Sequence, residues 1–212
     1  MRLFVTATNT GIGKTFVSAR LVEIAHSIGL RPGYFKPIET GVASSPEDGS
    51  KLHALCQELN PNLKSVPLDF VVPYQFSLPA APYVAKKDEH IDIEAIKKRA
   101  DELESMFDVL FIEGAGGLMV PIERDYFMID LIADLSAPAL LVTPSELGCI
   151  NQTLLSLQAL KAREIPHLWY VNLYKDKDSF FEVTYPFYRD YFGEVPMDLA
   201  SIFDRYRHGD FA

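Results

Sequence analysis

Short apolar runs alternate along this chain with segments of helical period. Leu3-Phe4-Val5-Thr6 predicts a first strand, and Val17, Leu21, Ile24, Ala25 and Ile28 form a helical stripe from Lys14 to Ile28, closed by Gly29. Gly33 to Pro37 predicts a second strand, a polar loop runs from Thr40 to Gly49, and a helix is expected over Lys51–Leu59. Between Asn60 and Val84 fall five of the 14 prolines, which predicts an irregular excursion over the surface. Asp92 caps the next helix, in which Ile93, Ile96, Ala100, Leu103 and Phe107 recur at steps of three and four. Val109–Ile112, Ala139–Val142 and Leu168–Asn172 read as further strands, with a helix marked by Ile150, Leu154, Leu157 and Leu160 between the last two. Strands that are apolar throughout, separated by amphipathic helices, predict an α/β fold. It has three layers: a mostly parallel sheet with helices on both faces. No repeat or linker divides the chain, so one domain over residues 1–212 is expected, with 196–212 as a tail of undetermined place.

Composition narrows the function. Of the 212 residues 48% are hydrophobic and 23% charged, the profile of a folded chain. The formal net charge of −9 disfavours nonspecific attraction to nucleic acid or to anionic membrane. Any anionic ligand must therefore be met by local lysines or backbone amides. Cys56 and Cys149 are far apart and the five histidines are scattered, so neither a disulfide framework nor a zinc site is expected. The short apolar start at Leu3 does not make a signal-peptide core, and a cytoplasmic protein is expected.

The chemistry lies where strands end. The first strand runs into Ala7-Thr8-Asn9-Thr10-Gly11-Ile12-Gly13-Lys14-Thr15 and then a helix, the setting of a P-loop NTPase-like phosphate loop. Thr8 stands where the common pattern has its first glycine, and a longer loop starting from Ala7 still allows the turn. Glu113-Gly114-Ala115-Gly116-Gly117 follows a buried strand; alone it reads equally as a glycine turn, but beside a phosphate loop its carboxylate can hold Mg²⁺. Lys36, in Lys36-Pro37-Ile38-Glu39-Thr40-Gly41, lies at the carboxyl end of the second strand; alone it reads as a solvated strand-end lysine, but beside a phosphate loop it is expected to point into the crevice of Lys14. Phe180, Phe181, Tyr185, Phe187, Tyr188, Tyr191 and Phe192 crowd one segment and are expected to pack the core or a dimer interface.

With Lys14-Thr15, Lys36-Pro37, Glu113-Gly114-Ala115-Gly116-Gly117, Gly148-Cys149-Ile150-Asn151 and Gly193-Glu194-Val195-Pro196 in this order, the chain resembles the dethiobiotin synthetases over residues 1–196. That resemblance implies carboxylation of 7,8-diaminononanoate (7,8-diaminopelargonate) by CO₂ or bicarbonate with ATP as co-substrate and Mg²⁺ as cofactor, closing a cyclic urea. By the family pattern Lys36, Lys14 and Thr10 serve catalysis, and Thr15, Asp48 and Glu113 hold the metal, with Glu47 a neighbouring alternative to Asp48. Gly11, Ile12, Gly13, Phe16, Gly114, Ala115, Gly116 and Asn172 complete the nucleotide site, Asn172 at the adenine. Thr40, Gly117 and the helix start Gly148, Cys149, Ile150 and Asn151 meet the diamine, the last four from a neighbouring subunit, which implies a homodimer. Pro79 and Pro82 resemble a family loop near the substrate. No nucleic acid or membrane partner is expected. The alternative is a nucleotide-switched ATPase of the partition or septum-positioning kind. Those often carry an extra lysine within the loop, where this chain has Thr8, Asn9 and Thr10.

Overall fold

The computed structural model describes residues 1–211. In chain order the first half contains β1 (Arg2–Ala7), α1 (Lys14–Ser27), β2 (Pro32–Phe35), β3 (Ile38–Thr40), α2 (Glu47–Leu59), α3 (Leu68–Val71), β4 (Tyr74–Phe76), α4 (Pro82–Ala85) and α5 (Ile93–Met106). The second half contains β5 (Val109–Gly117), β6 (Pro121–Glu123), β7 (Tyr126–Phe127), α6 (Met128–Asp134), β8 (Ala139–Pro144) and α7 (Cys149–Ala162). It ends with β9 (His167–Asn172), α8 (Lys177–Ser179), α9 (Tyr185–Phe192) and α10 (Leu199–His208).

β2, β5, β1, β8 and β9 form the central sheet in that order, every pair parallel. Parallel neighbours need crossovers, and those crossovers put helices on both faces of the sheet. The continuous apolar runs are buried accordingly, with Phe4, Val5, Phe35, Phe111, Ile112, Leu140, Leu141 and Val171 inaccessible to solvent. The α/β expectation is met.

Two features prepare the site. β1 pairs Val5 with Glu113 but Ala7 with Gly117, so residues 114–116 bulge out of the ladder at its carboxyl end. The bulge takes Gly114, Ala115 and Gly116 out of regular pairing with the last residues of β1. The proline-rich stretch, expected to be irregular, instead holds α3, α4 and β4, and β4 pairs in parallel with β3. Two of its five prolines sit at Pro67, before α3, and at Pro82, which opens α4, where a missing N–H is harmless. α2 starts at Glu47 rather than Lys51, which moves Asp48 from a loop into a first helical turn.

The carboxyl-terminal segment packs on the sheet. Phe203 of α10 meets Phe111 with ring centroids 5.7 Å apart, and the Tyr206 hydroxyl donates to the Arg2 carbonyl at 2.8 Å. Ala212 lies outside the described residues. Part of the aromatic segment packs into the core: Trp169 lies against Phe192 and Tyr188, and Phe180 and Tyr188 are fully buried, while Phe181, Phe187 and Tyr191 are exposed.

Candidate active site at the carboxyl edge of the sheet

The loop after β1 turns on Gly13, whose φ of 96° lies in the left-handed region. Gly13 also caps α1 and offers no side chain, so the first amides of α1 stay free for an anion. Two side chains, one at the end of β9 and one just beyond it, hold the loop from behind. Asn172 Nδ2 donates to the Ile12 carbonyl at 2.8 Å, and the Tyr174 hydroxyl donates to the Gly11 carbonyl at 2.7 Å. A Cβ on Gly13 would fall 2.3 Å from Asn172 Nδ2, so glycine is needed for space as well as for φ.

The loop faces a cavity of about 700 Å³ lined by Thr10, Gly11, Gly13, Lys14, Thr15, Lys36, Ile38, Glu39, Thr40, Asp48, Pro79–Pro82, Glu113–Gly116 and Val120. Lys14 and Lys36 share it. Lys14 is buried, and burial followed by the neighbouring Lys36 charge lowers its pKa to about 8. Lys36 is shifted the other way. Its burial opposes the charge, but Glu113 and then Asp48 outweigh that and raise its pKa.

Glu113 is the electrostatic hub, at 1% exposure. Its Oε1 accepts from Lys36 Nζ at 2.6 Å and from the Thr15 hydroxyl at 3.0 Å, and its Oε2 accepts from the Ser18 hydroxyl at 2.8 Å. Lys36 Nζ also lies 3.5 Å from Asp48 Oδ2. Of the two adjacent acids, Glu47 is exposed and pairs with Lys51, while Asp48 lines the crevice. Thr15, Asp48 and Glu113 all line the one cavity, supplying hard oxygen donors of the kind Mg²⁺ takes. No group of three or more His, Cys, Asp or Glu gathers as a metal site among the described residues. That donor set suits a metal that keeps waters and phosphate oxygens rather than an all-protein cage.

Several of the expected site residues lie outside the lining of this cavity or face other partners. Phe16 is 57% exposed and does not line the cavity, and Ile12 is buried with its carbonyl turned to Asn172. Asn172, expected at the adenine, is itself buried and serves the loop through its amide. Gly117 does not line the cavity; a Cβ there would meet the Thr8 carbonyl oxygen at 3.0 Å, so it serves close strand packing. Gly148, Cys149, Ile150 and Asn151 do begin a helix, but they line no part of this cavity, and Cys149 is buried with Sγ 4.0 Å from Thr184 Oγ1.

Sequence reasoning missed Ser18, Tyr174 and Glu39. Ser18 follows Thr15 by three residues, so both share one helix face, and that spacing could have found it. Tyr174 gave no signal beyond standing two residues after Asn172. Glu39 was visible inside the Lys36–Gly41 run, but its partners, the amides of Asp48 and Gly49, are nine and ten residues away.

Comparison with known proteins sets this geometry in context. A family model described as an AAA domain matches residues 1–200. An ATP-dependent dethiobiotin synthetase of Sulfurovum sp. (strain NBC37-1) is 48% identical over 88% of this chain and 89% of its own. One from Wolinella succinogenes is 39% identical over 89% and 88%, and one from Helicobacter pylori 33% identical over 96% and 94%. Among solved structures, the MinD cell division protein of Aquifex aeolicus aligns over 92% of this chain and 79% of its own, with a TM-score of 0.54 and 16% identity. A ParA family ATPase from Chlorobium tepidum TLS covers 93% and 82%, with a TM-score of 0.54 and 14% identity. These two share the P-loop fold and are distant in sequence. A phosphate loop, a buried lysine–glutamate pair and near-full-length identity of up to 48% converge on one answer: the chain belongs to the ATP-dependent dethiobiotin synthetase family.

Proposed function

We propose that this crevice makes dethiobiotin from 7,8-diaminononanoate, CO₂ and ATP, with Mg²⁺ held by Thr15, Asp48 and Glu113. The observation that carries the reading is the shared cavity of Lys14 and Lys36, with Glu113 and Asp48 beside the second lysine. One amine of the substrate takes up CO₂ and loses a proton to become a carbamate. A carbamate oxygen attacks the γ-phosphorus and ADP leaves; the second amine then attacks the carbonyl carbon, closing the ring and expelling phosphate. Two anions must meet in the first phosphoryl step. A divalent ion bound at the oxygen donors supplies charge neutralisation for the triphosphate.

The chain's own residues do the rest. The free amides of α1 and the Lys14 ammonium bind the phosphates, while Thr10, at the mouth of the loop, faces the transferred group. Lys36, kept charged by Glu113, offsets the charge of the carbamate as it approaches phosphorus. Thr40 and the Pro79–Pro82 segment border the space for the diamine. Gly114 to Gly116, released from the ladder, let the backbone come close to the phosphates.

A homodimer completes the reading, with the α7 start of one subunit receiving the substrate carboxylate of the other. Gly148 caps α7 without a side-chain bond, and the neighbouring Leu147 is 86% exposed. The two free, buried cysteines suit a cytoplasmic setting. No helix among the described residues is long and apolar enough to cross a membrane.

The test supplies ATP, Mg²⁺, ¹³C-bicarbonate and the diamino acid, and follows ADP release and a labelled cyclic urea by mass spectrometry. ADP release that requires the diamine supports the reading. ADP release stimulated by DNA or anionic vesicles instead, with no urea, would overturn it.

A further inference from the structure

A helix leaves its first backbone amides unpartnered, and a Ser, Thr, Asp or Asn at the N-cap normally takes one of them. α2 departs from this. Its N-cap is Pro46, which has no acceptor side chain, and the preceding Ser45 spends its hydroxyl on Ser50. The two amides go to another element. Glu39, on β3, accepts from the Asp48 amide through Oε1 at 3.1 Å and from the Gly49 amide through Oε2 at 2.9 Å. Gly49 makes the approach possible, since a Cβ there would lie 3.1 Å from Glu39 Oε2 and 2.3 Å from Val72 Cγ2.

The placement joins two parts of the cavity wall. Glu39 is 7% exposed, and its strand is locked to β4 through the pairs Ile38–Tyr74, Glu39–Gln75 and Thr40–Phe76. One of the two residues whose amides it caps is Asp48, whose carboxylate stands 3.5 Å from Lys36. A third carboxylate beside a site that collects phosphates works against binding unless it does something else. Here each of its oxygens accepts a backbone amide, so it can anchor without competing for the metal.

We propose that Glu39 is a positioning residue: it caps α2 from β3 in place of an N-cap side chain, and so fixes the backbone from which Asp48 presents its carboxylate to the site. The inference rests on reading Asp48 as a metal-holding carboxylate. It extends that reading by naming what aims Asp48.

The experiment uses the whole chain with Glu39→Ala, Glu39→Gln, Glu39→Ala/Pro46→Asn and Asp48→Ala. Amide hydrogen exchange is read in the ligand-free protein, and Mn²⁺ affinity is read by electron paramagnetic resonance in the ATP complex. In Glu39→Ala, exchange at Asp48 and Gly49 rises about tenfold while α1 is unchanged, and Mn²⁺ affinity falls about tenfold, as for loss of an outer-shell partner. The metal concentration for half-maximal turnover rises while the KM for the diamine holds. Glu39→Gln, which keeps one acceptor, falls between. Pro46→Asn restores a local, uncharged cap and returns both readouts to within about threefold of the parent. Unchanged exchange in Glu39→Ala, or a double variant no better than the single one, would overturn the proposal. If Asp48→Ala binds Mn²⁺ like the parent, the reading of Asp48 fails, and with it the purpose assigned to Glu39. Rescued exchange protection would then establish the cap alone.

Discussion

The two walls of the crevice are built by different means. The phosphate-loop wall presents backbone: Gly13 supplies the turn, α1 offers free amides, and Asn172 and Tyr174 hold two loop carbonyls from outside. The opposite wall presents side chains, with Lys36, Glu113, Asp48 and Glu39 buried or half-buried around one another. Backbone dipoles keep their geometry through the chain itself. A buried ion pair keeps it only while both partners are present, because either one alone bears the full desolvation penalty. The contrast implies that the first wall loses affinity in graded steps, whereas the second fails abruptly.

The largest effect is expected at Lys36. On the proposed mechanism Lys36→Ala removes the charge that offsets the carbamate at the transferred phosphoryl group, and lowers turnover by about 10²–10³-fold. ATP affinity, measured by calorimetry, moves little. The same change leaves Glu113 buried without its cation and lowers stability by roughly 3–5 kcal/mol, read as a shift in the urea midpoint. Normal turnover in this variant would remove the distinction between the walls.

Gly13→Ala comes next. Its Cβ meets Asn172 Nδ2 at 2.3 Å and its φ is strained for any side chain, a penalty of about 1–3 kcal/mol. Expressed as lost ATP affinity, this is roughly 5–150-fold. Asn172→Ala together with Gly13→Ala relieves the clash but not the φ strain, so partial recovery in the pair separates the two causes.

Losing one carbonyl anchor is milder. Asn172→Ala or Tyr174→Phe removes a single hydrogen bond worth about 1 kcal/mol, or roughly a fivefold loss of ATP affinity, with kcat nearly unchanged. A large fall in kcat from either variant would mean that the loop wall also acts in the transition state.

The smallest effect concerns His53 on α2, the helix that carries Asp48. Burial holds its imidazole below the ordinary value of 6.5, against the Val66 carbonyl, which pulls it upward. Below 6.5 the unfolded chain takes up the proton more readily than the folded one, so the contribution of this group is present above that pH and is lost as the pH falls. Urea midpoints measured from about pH 7 down to about pH 5 should therefore decline less steeply in His53→Gln than in the parent. Equal slopes would clear His53 of any part in acid sensitivity.

Lys14, Thr15, Lys36 and Glu113 could be read from the sequence because each follows a strand or opens a helix whose apolar pattern is explicit. The α2 start was misjudged because Pro46-Glu47-Asp48-Gly49 has no capping side chain, and the cap comes from Glu39 across a turn. Asn172 could be placed at the end of β9, but its direction depended on how close the loop of β1 comes, two strands away in the sheet.

What the sequence determined by itself is local: the alternation of buried strands and amphipathic helices, the flexible glycine turn, and the residue types that phosphate chemistry requires. The tertiary structure decided the pairings, namely which acid faces Lys36, which side chains hold the loop, and what caps α2. The physical reason is range. Periodicity and turn propensity act over a few residues, whereas a buried charge or an orphaned amide is satisfied by whatever the fold brings within about 3 Å.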